Sequence, residues 1–354
     1  MRAAIISGGA AAAAFASACA SPPPPPPPPP KPVVVAAPTD TVRLPLTELP
    51  TYFGIAGGLY PGTSNLPPAI QDSAARASRN RVRALDVNGD ESPFGKFVLI
   101  SIGMSNTSEE WCSKSSGPPC TAWSFMGRAV ADPTVNRYSM VVVNGAADGQ
   151  DAPAWTSPSS PNYDRIKVGR LAPLGLSENQ VEIAWVKLAD PQPRTSLPAD
   201  SADAYVFVSN LGQVLRALRV RYPNLLLVFV SSRIYGGYST TDWNPEPYAY
   251  EEGFSVKWLI ESQINEMRGL PASARAGTLN YAKKSAPVIL WGPYLWANGN
   301  TPRSDGVVWD RGDFEADGAH PSQSGESKVA AMLLNFFKTS QYTKCWFLAN
   351  QYCL

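Results

Sequence analysis

Five short, nearly continuous apolar runs, separated by segments with helical spacing, constrain this chain more than any other feature. Lys96–Ile102, Tyr138–Asn144, Val181–Lys187, Leu225–Val230 and Pro287–Trp291 are rich in Val, Ile, Leu, Phe and Trp and read as strands. Ala122–Ala131, Ala204–Arg221, Glu251–Met267 and Ser324–Lys338 read as helices. A strand that is apolar on both sides offers no face to water. The pattern therefore predicts an α/β domain with a parallel sheet covered on both faces. In such sheets ligands sit at the carboxyl ends of the strands. Ser105, Gly149, Ser231 and the segment after Trp291 fall just past those ends.

The first forty residues have a different character. Arg2, the apolar or small stretch Ala3–Phe15 and Ala16-Ser17-Ala18 fit an export signal over residues 1–18. The apolar stretch is shorter than the ~20 residues of a spanning helix. Cys19 follows directly, which also fits a bacterial lipoprotein site; the Leu usual two places before the final small residue is replaced by Ala16. Residues 19–40 then form a linker in which nine prolines run unbroken from Pro22 to Pro30. Such a run is either a stiff polyproline spacer or an inert low-complexity tail. The expectation is an exported protein, periplasmic, extracellular or lipid-anchored at the cell envelope. It would meet the membrane only through an N-terminal lipid, with residues 41–354 as its folded domain.

Four further cysteines fall into two local couples, Cys112/Cys120 and Cys345/Cys353. In an exported chain that pattern implies two small disulfide loops. The alternative, four thiolates on zinc, lacks the tight spacing of a zinc site. A net charge of +1 with no Lys/Arg cluster excludes a nucleic-acid partner.

The chain has one histidine, His320, within Glu315-Ala-Asp-Gly-Ala-His-Pro-Ser-Gln-Ser-Gly325, just ahead of the last helix. Asp317 lies three residues upstream on a Gly-containing loop, a spacing that lets a carboxylate fold back onto the imidazole and fix its tautomer. Ser105, in Ile102-Gly-Met-Ser-Asn-Thr107, follows the first long strand, where a hydroxyl is held at the rim of the sheet. It reads as a nucleophile or as a helix-opening serine.

Taken together, G-x-S-N after the first strand and D-G-x-H-P-S before the last helix resemble the first and last blocks of the GDSL-like (SGNH) hydrolase family. The resemblance covers roughly Phe53 to Lys338 in the family's order. Met104 stands where the family's familiar aspartate would be. The resemblance implies a flavodoxin-like three-layer α/β/α sandwich that works without metal or cofactor. It assigns Ser105 as nucleophile, His320 as base and Asp317 as the group that orients the base. Asn144 and Gly149 match the second block, so the N–H groups of Ser105 and Gly149 are the expected oxyanion donors. The third block fails, because the strand Val181–Lys187 is followed by no asparagine. Either Lys187 or Asn106 supplies the third donor, or there is none.

Asp86-Val-Asn-Gly-Asp90 begins like a calcium loop but lacks the later Gly and Glu, and reads as a polar turn. Aromatic residues gather past two strand ends: Tyr235, Tyr238 and Trp243, with Tyr248 and Tyr250 beyond, then Trp291, Tyr294 and Trp296. They read either as core packing or as substrate-binding walls suited to a sugar or a small polar ester. The expected activity is that of a serine carboxylic ester hydrolase acting on short acyl groups, carbohydrate esters among them. Acyl transfer by the same serine and a non-catalytic carbohydrate-binding surface protein are the other readings.

Overall fold

The computed structural model describes residues 42–114 and 117–353. The export signal, the proline-rich linker and Cys19 lie outside the described residues. Near the start, strands β1 (Thr51–Tyr52) and β2 (Ile55–Ala56) form a two-residue hairpin, followed by helix α1 (Ala69–Arg79). The five expected strands are all present: β3 (Phe97–Gly103), β4 (Met140–Asn144), β5 (Val181–Lys187), β6 (Leu227–Ser231) and β7 (Val288–Trp291).

These strands pair in parallel in the order β4-β3-β5-β6-β7. Counted along the sheet strands alone, that is 2-1-3-4-5, the flavodoxin-like order expected above. Helix α2 (Ser105–Trp111) follows β3 directly, and α3 (Phe125–Ala131) precedes β4. Helix α4 (Pro161–Ile166) lies between β4 and β5, α5 (Asp203–Arg221) between β5 and β6, and α6 (Tyr248–Met267) between β6 and β7. Helices α7 (Gln323–Thr339) and α8 (Lys344–Phe347) close the chain.

Side chains alternate across the sheet, as the pleat requires. Val98, Ile100, Ala184, Val186, Val228 and Val230 pack towards α5 and α6. Leu99, Ile183, Trp185, Leu227 and Phe229 pack on the other side, with Trp111, Phe125, Leu333 and Phe337 from α2, α3 and α7. Two apolar layers on one sheet make the three-layer α/β/α sandwich. Aromatic contacts fill the second layer: Trp111 stacks on Trp185 at 5.2 Å and meets Phe125 at a tilt, 4.4 Å between centroids.

Helix α2 is the element that periodicity does not reveal. Its residues Asn106–Glu110 are polar, yet all are buried. Hydrogen bonds replace apolar packing: Thr107 Oγ1 donates to the Lys187 carbonyl at 2.5 Å, and Ser108 Oγ to the Ser113 carbonyl at 2.9 Å. The helix approaches the sheet so closely that a Cβ on Gly103 would lie 2.3 Å from both Lys187 O and Thr107 Oγ1. Only glycine fits at that junction.

The two cysteine couples are disulfides, with Cα–Cα separations of 4.5 Å for Cys112–Cys120 and 5.0 Å for Cys345–Cys353. The four sulfurs are thereby committed to each other, which removes the zinc reading. The Asp86–Asp90 segment closes as a turn, with Asp86 Oδ1 accepting from Asn88 N–H at 2.9 Å and from Asp90 N–H at 3.1 Å. No helix among the described residues is long and apolar enough to cross a membrane.

Candidate active site

Strand register sets the geometry of the rim. Gly103 lies opposite Lys187, and Lys187 opposite Ser231, so β3, β5 and β6 end side by side. One strand over, Ser101 pairs with Asn144. Asn144 holds this edge together, since its Oδ1 accepts from Ser101 Oγ at 2.8 Å and its Nδ2 donates to Ser108 Oγ at 3.0 Å.

Ser105 opens α2 two residues beyond the end of β3, and its Oγ lies 2.8 Å from His320 Nε2. On the far side of the ring, His320 Nδ1 lies 2.7 Å from Asp317 Oδ2. The other Asp317 oxygen accepts from the N–H groups of Ala319 at 2.8 Å and His320 at 2.9 Å. Partial burial alone would push the Asp317 carboxyl up; the hydrogen bonds from His320 and Ala319 outweigh it and hold the carboxyl below its usual range. The carboxylate therefore stays ionised beside the ring. Its loop turns at Gly318 with φ +69°, where a Cβ would lie 1.8 Å from the Tyr238 carbonyl oxygen.

Ser105 and His320 line a cavity of about 210 Å³. Gly149 lines it from the turn after β4, with φ +67°. The N–H groups of Ser105 and Gly149 meet no acceptor among the described residues. The two residues named from the sequence as backbone donors thus line the same cavity as His320.

Of the two side chains named for a third donor, Lys187 is engaged elsewhere and Asn106 is tied by one of its two amide hydrogens. Lys187 is 0% exposed, does not line the cavity, and its ammonium pairs with Glu110 of α2. Burial brings the lysine down to about 8 and pushes the glutamic acid up, each opposed by its partner. Strand polarity explains the correction: the last side chain of β5 points under α2 rather than over the rim. Asn106 does line the cavity, but its Nδ2 donates to the Ala319 carbonyl at 2.9 Å.

Tyr248, Tyr250 and Trp296 do not line the cavity, and among Tyr235, Tyr238, Trp243, Trp291 and Tyr294, Trp243 alone does. It is 50% exposed and meets the His320 ring edge-on, 5.6 Å between centroids. The other four are packing residues. Tyr235 and Tyr238 pack against each other at 5.1 Å, and the Tyr238 hydroxyl donates to the Trp309 carbonyl at 3.1 Å. Trp291 is buried with Nε1 on the Leu59 carbonyl at 2.6 Å, and buried Tyr294 accepts from the Leu46 N–H at 3.0 Å. Trp291 and Tyr294 thus bind down the segment that precedes the sheet.

Polar groups that sequence reading did not single out complete the lining. Asp148 and Asp151 come from the loop after β4, and Asp190 from the loop after β5. Burial pushes Asp190 up to about 6, helped by the nearby charges of Asp203 and Asp151. Burial likewise raises Asp151, against the pull of Arg233. Asn244 donates to Glu252 Oε1 at 2.7 Å, while its own Oδ1 is buried without a partner. Arg233 is 3% exposed, two residues past the end of β6, a position that strand-end reasoning marks in the sequence. Its Nη2 lies 3.4 Å from the Ala319 carbonyl oxygen and its Nε has no partner.

No family model and no curated protein matches the chain. Comparison with solved structures finds likenesses of fold at low identity. An extracellular lipase from Streptomyces rimosus is 15% identical, covering 67% of this chain and 98% of its own, with a TM-score of 0.33. A GDSL-like lipase from Bacteroides thetaiotaomicron is 12% identical over 75% of this chain and 96% of its own, TM-score 0.33. A two-domain esterase active on acetylated mannans is 11% identical over 78% of this chain and 54% of its own, TM-score 0.37. The resemblance to GDSL-like (SGNH) hydrolases carried by the two sequence blocks is one of fold, and the sheet order it implies is the order this chain has.

Proposed function

We propose that this chain is a serine ester hydrolase in which Ser105 is the nucleophile, His320 the base and Asp317 the group that orients the base. One observation carries the reading: the unbroken contact line from Ser105 Oγ to His320 Nε2 at 2.8 Å and from His320 Nδ1 to Asp317 Oδ2 at 2.7 Å, opening onto a cavity. A hydroxyl with its proton directed at a neutral imidazole nitrogen is an activated nucleophile. Asp317 Oδ2 accepts a hydrogen bond from Nδ1–H, which keeps that proton on Nδ1 and leaves Nε2 free to receive the serine proton.

The reaction then follows from the contacts. Ser105 Oγ bonds to the ester carbonyl carbon as its proton passes to His320 Nε2, and the carbonyl electron pair moves onto oxygen. The N–H groups of Ser105 and Gly149 face that oxygen. Collapse breaks the bond to the alcohol oxygen, which leaves with the proton from His320. Water, deprotonated by the same imidazole, releases the acid and restores Ser105.

The lining supports a short acyl group on a polyhydroxy alcohol. Asp148, Asp151, Asp190 and Asn244 are acceptors for hydroxyl groups, and about 210 Å³ is below the range typical of drug-sized ligands. The two disulfides are compatible with an oxidising compartment. A fluorophosphonate probe tests the reading: it should label the protein at Ser105 and leave Ser105→Ala unlabelled. Hydrolysis of p-nitrophenyl acetate should be lost in the same variant. Turnover by Ser105→Ala at the wild-type rate would end the proposal.

A further inference from the structure

Arg233 is the one buried cation of the cavity, and it is underused. A guanidinium keeps its charge at every working pH and carries five N–H donors. Withdrawing such a group from water is costly unless an anion or several acceptors compensate. Here no carboxylate lies within 4.0 Å of it among the described residues, Nε has no partner, and the contact of Nη2 with the Ala319 carbonyl is long, at 3.4 Å. That carbonyl also takes Asn106 Nδ2 at 2.9 Å, so the guanidinium rests beside the residue after Ser105 and the residue before His320. A permanent charge kept buried at a reactive serine is provision for an anion.

The carboxyls of Asp151, Glu252 and Glu110 feel the Arg233 charge from beyond salt-bridge distance. At contact distance two further anions are chemically available, one arriving as part of the substrate or one created by the reaction. The surroundings favour the second. Asp148, Asp151 and Asp190 line the same cavity and would repel an incoming carboxylate. A neutral ester escapes that repulsion, and its carbonyl oxygen becomes negative only after Ser105 has attacked. Of the side-chain amides in the cavity, Asn244 Nδ2 donates to both the Asp190 carbonyl and Glu252 Oε1, and Asn106 Nδ2 gives one of its two hydrogens to the Ala319 carbonyl.

We propose that Arg233 is a catalytic donor that stabilises the negative oxygen of the tetrahedral intermediate, and that the substrates are neutral esters. The inference rests on the serine-hydrolase reading above. In the step concerned, the Ser105 Oγ–carbon bond forms, the carbonyl electron pair moves to oxygen, and the serine proton goes to His320. The guanidinium transfers no proton; it donates a hydrogen bond to the new charge. A donor aimed at charge present only in the transition state raises kcat and leaves KM nearly alone.

The experiment compares wild type, Arg233→Met and Arg233→Lys on p-nitrophenyl acetate and on p-nitrophenyl hemisuccinate, whose acyl group carries a carboxylate. Met keeps the length of the side chain without charge or donor, and Lys keeps the charge without the fork. Arg233→Met should lose about 10²–10³-fold in kcat on the neutral ester with KM nearly unchanged. Arg233→Lys should recover part of that loss. Inhibition by methylboronic acid, whose serine adduct carries an equivalent negative oxygen, should weaken in parallel with kcat/KM.

Circular dichroism checks the fold; if Arg233→Met is misfolded, Arg233→Gln, which keeps a polar head, carries the same comparison. Unchanged kcat on the acetate ester would overturn the inference. So would a loss confined to KM for the hemisuccinate, which would make Arg233 a subsite for anionic substrates. An inert wild-type protein that no fluorophosphonate labels would remove the hydrolase reading and this inference together; an active wild type indifferent to residue 233 removes this inference alone.

Discussion

In the proposed mechanism Asp317 orients the ring that takes the Ser105 proton, so the three side chains are expected to act as a unit. Ser105→Ala and His320→Ala are each expected to cost on the order of 10⁴–10⁶-fold in kcat, and the double variant little more than either single one. Asp317→Asn should be milder than both, because it weakens the orientation of His320 without removing the base. Steady-state kinetics on p-nitrophenyl acetate, with circular dichroism to confirm folding, checks all four variants. At Gly103 the constraint is steric. A methyl group there meets the Lys187 carbonyl oxygen and the Thr107 hydroxyl at 2.3 Å, so Gly103→Ala must push α2 off the sheet. It should lower both the melting temperature and kcat, whereas a surface Gly→Ala such as Gly169→Ala, whose Cβ would meet nothing within 4 Å, should leave kcat unchanged.

Among the elements, the loops past β5 and β6 decide what the site accepts. The loop after β6 braces the histidine loop, with Thr240 N–H donating to the Asp317 carbonyl at 2.8 Å, and then presents Trp243 at the rim. Asp148, Asp151, Asp190 and Asn244 stand among the remaining walls, and a cavity of about 210 Å³ is small for a long acyl chain. A methylene contributes about 0.8 kcal/mol only where apolar surface receives it. kcat/KM should therefore fall from p-nitrophenyl acetate through butyrate and octanoate to palmitate; a rise through palmitate would refute the short-acyl reading. Helix α2 ends at Cys112, and the Cys112–Cys120 bridge ties its end to the approach to α3. A loop this short contributes about 2–3 kcal/mol in the loop-closure model. Replacing both cysteines by serine should lower the unfolding free energy by that amount in a urea titration. Non-reducing peptide mapping should recover both linkages.

Over the whole molecule, buried carboxyls set how stability responds to pH. Burial pushes Glu109 and Glu182 up to about 8 and Glu251 up to about 7. A raised carboxyl binds its proton more tightly in the native state than in the unfolded chain. Stability from these groups is thus fully present below the ordinary carboxylate range and is lost as pH rises towards 8. The opposite holds for Asp132, which the Lys338 ammonium holds down to about 2; its contribution is present above the ordinary range and lost as pH falls. The two trends place the stability maximum in mildly acid solution. The melting temperature at pH 5 should exceed that at pH 8 by more than about 2 °C, since 1 kcal/mol shifts a large domain by roughly that much. An equal or higher value at pH 8 would contradict the assignment.

The sequence by itself determined the layers, because burial on both faces of a strand leaves a continuous apolar run and burial on one face of a long helix leaves a periodic one. All five sheet strands were legible on that ground, as were α3, α5, α6 and α7. Ser105, Asp317 and His320 were legible too, since each sits at a fixed place relative to a strand end or a helix start. Helix α2 was not, because polar contacts rather than apolar packing hold it, and hydrogen-bond partners far along the chain leave no periodic trace. Only the tertiary structure decided which strand-end groups turn into the cavity. It turned Lys187 under α2 onto Glu110, gave Tyr235, Tyr238, Trp291 and Tyr294 to packing, and brought in Asp148, Asp151, Asp190, Asn244 and Arg233. Side-chain direction at a strand end depends on the register of neighbouring strands and the path of the next loop, and neither is encoded within a few residues of the side chain itself.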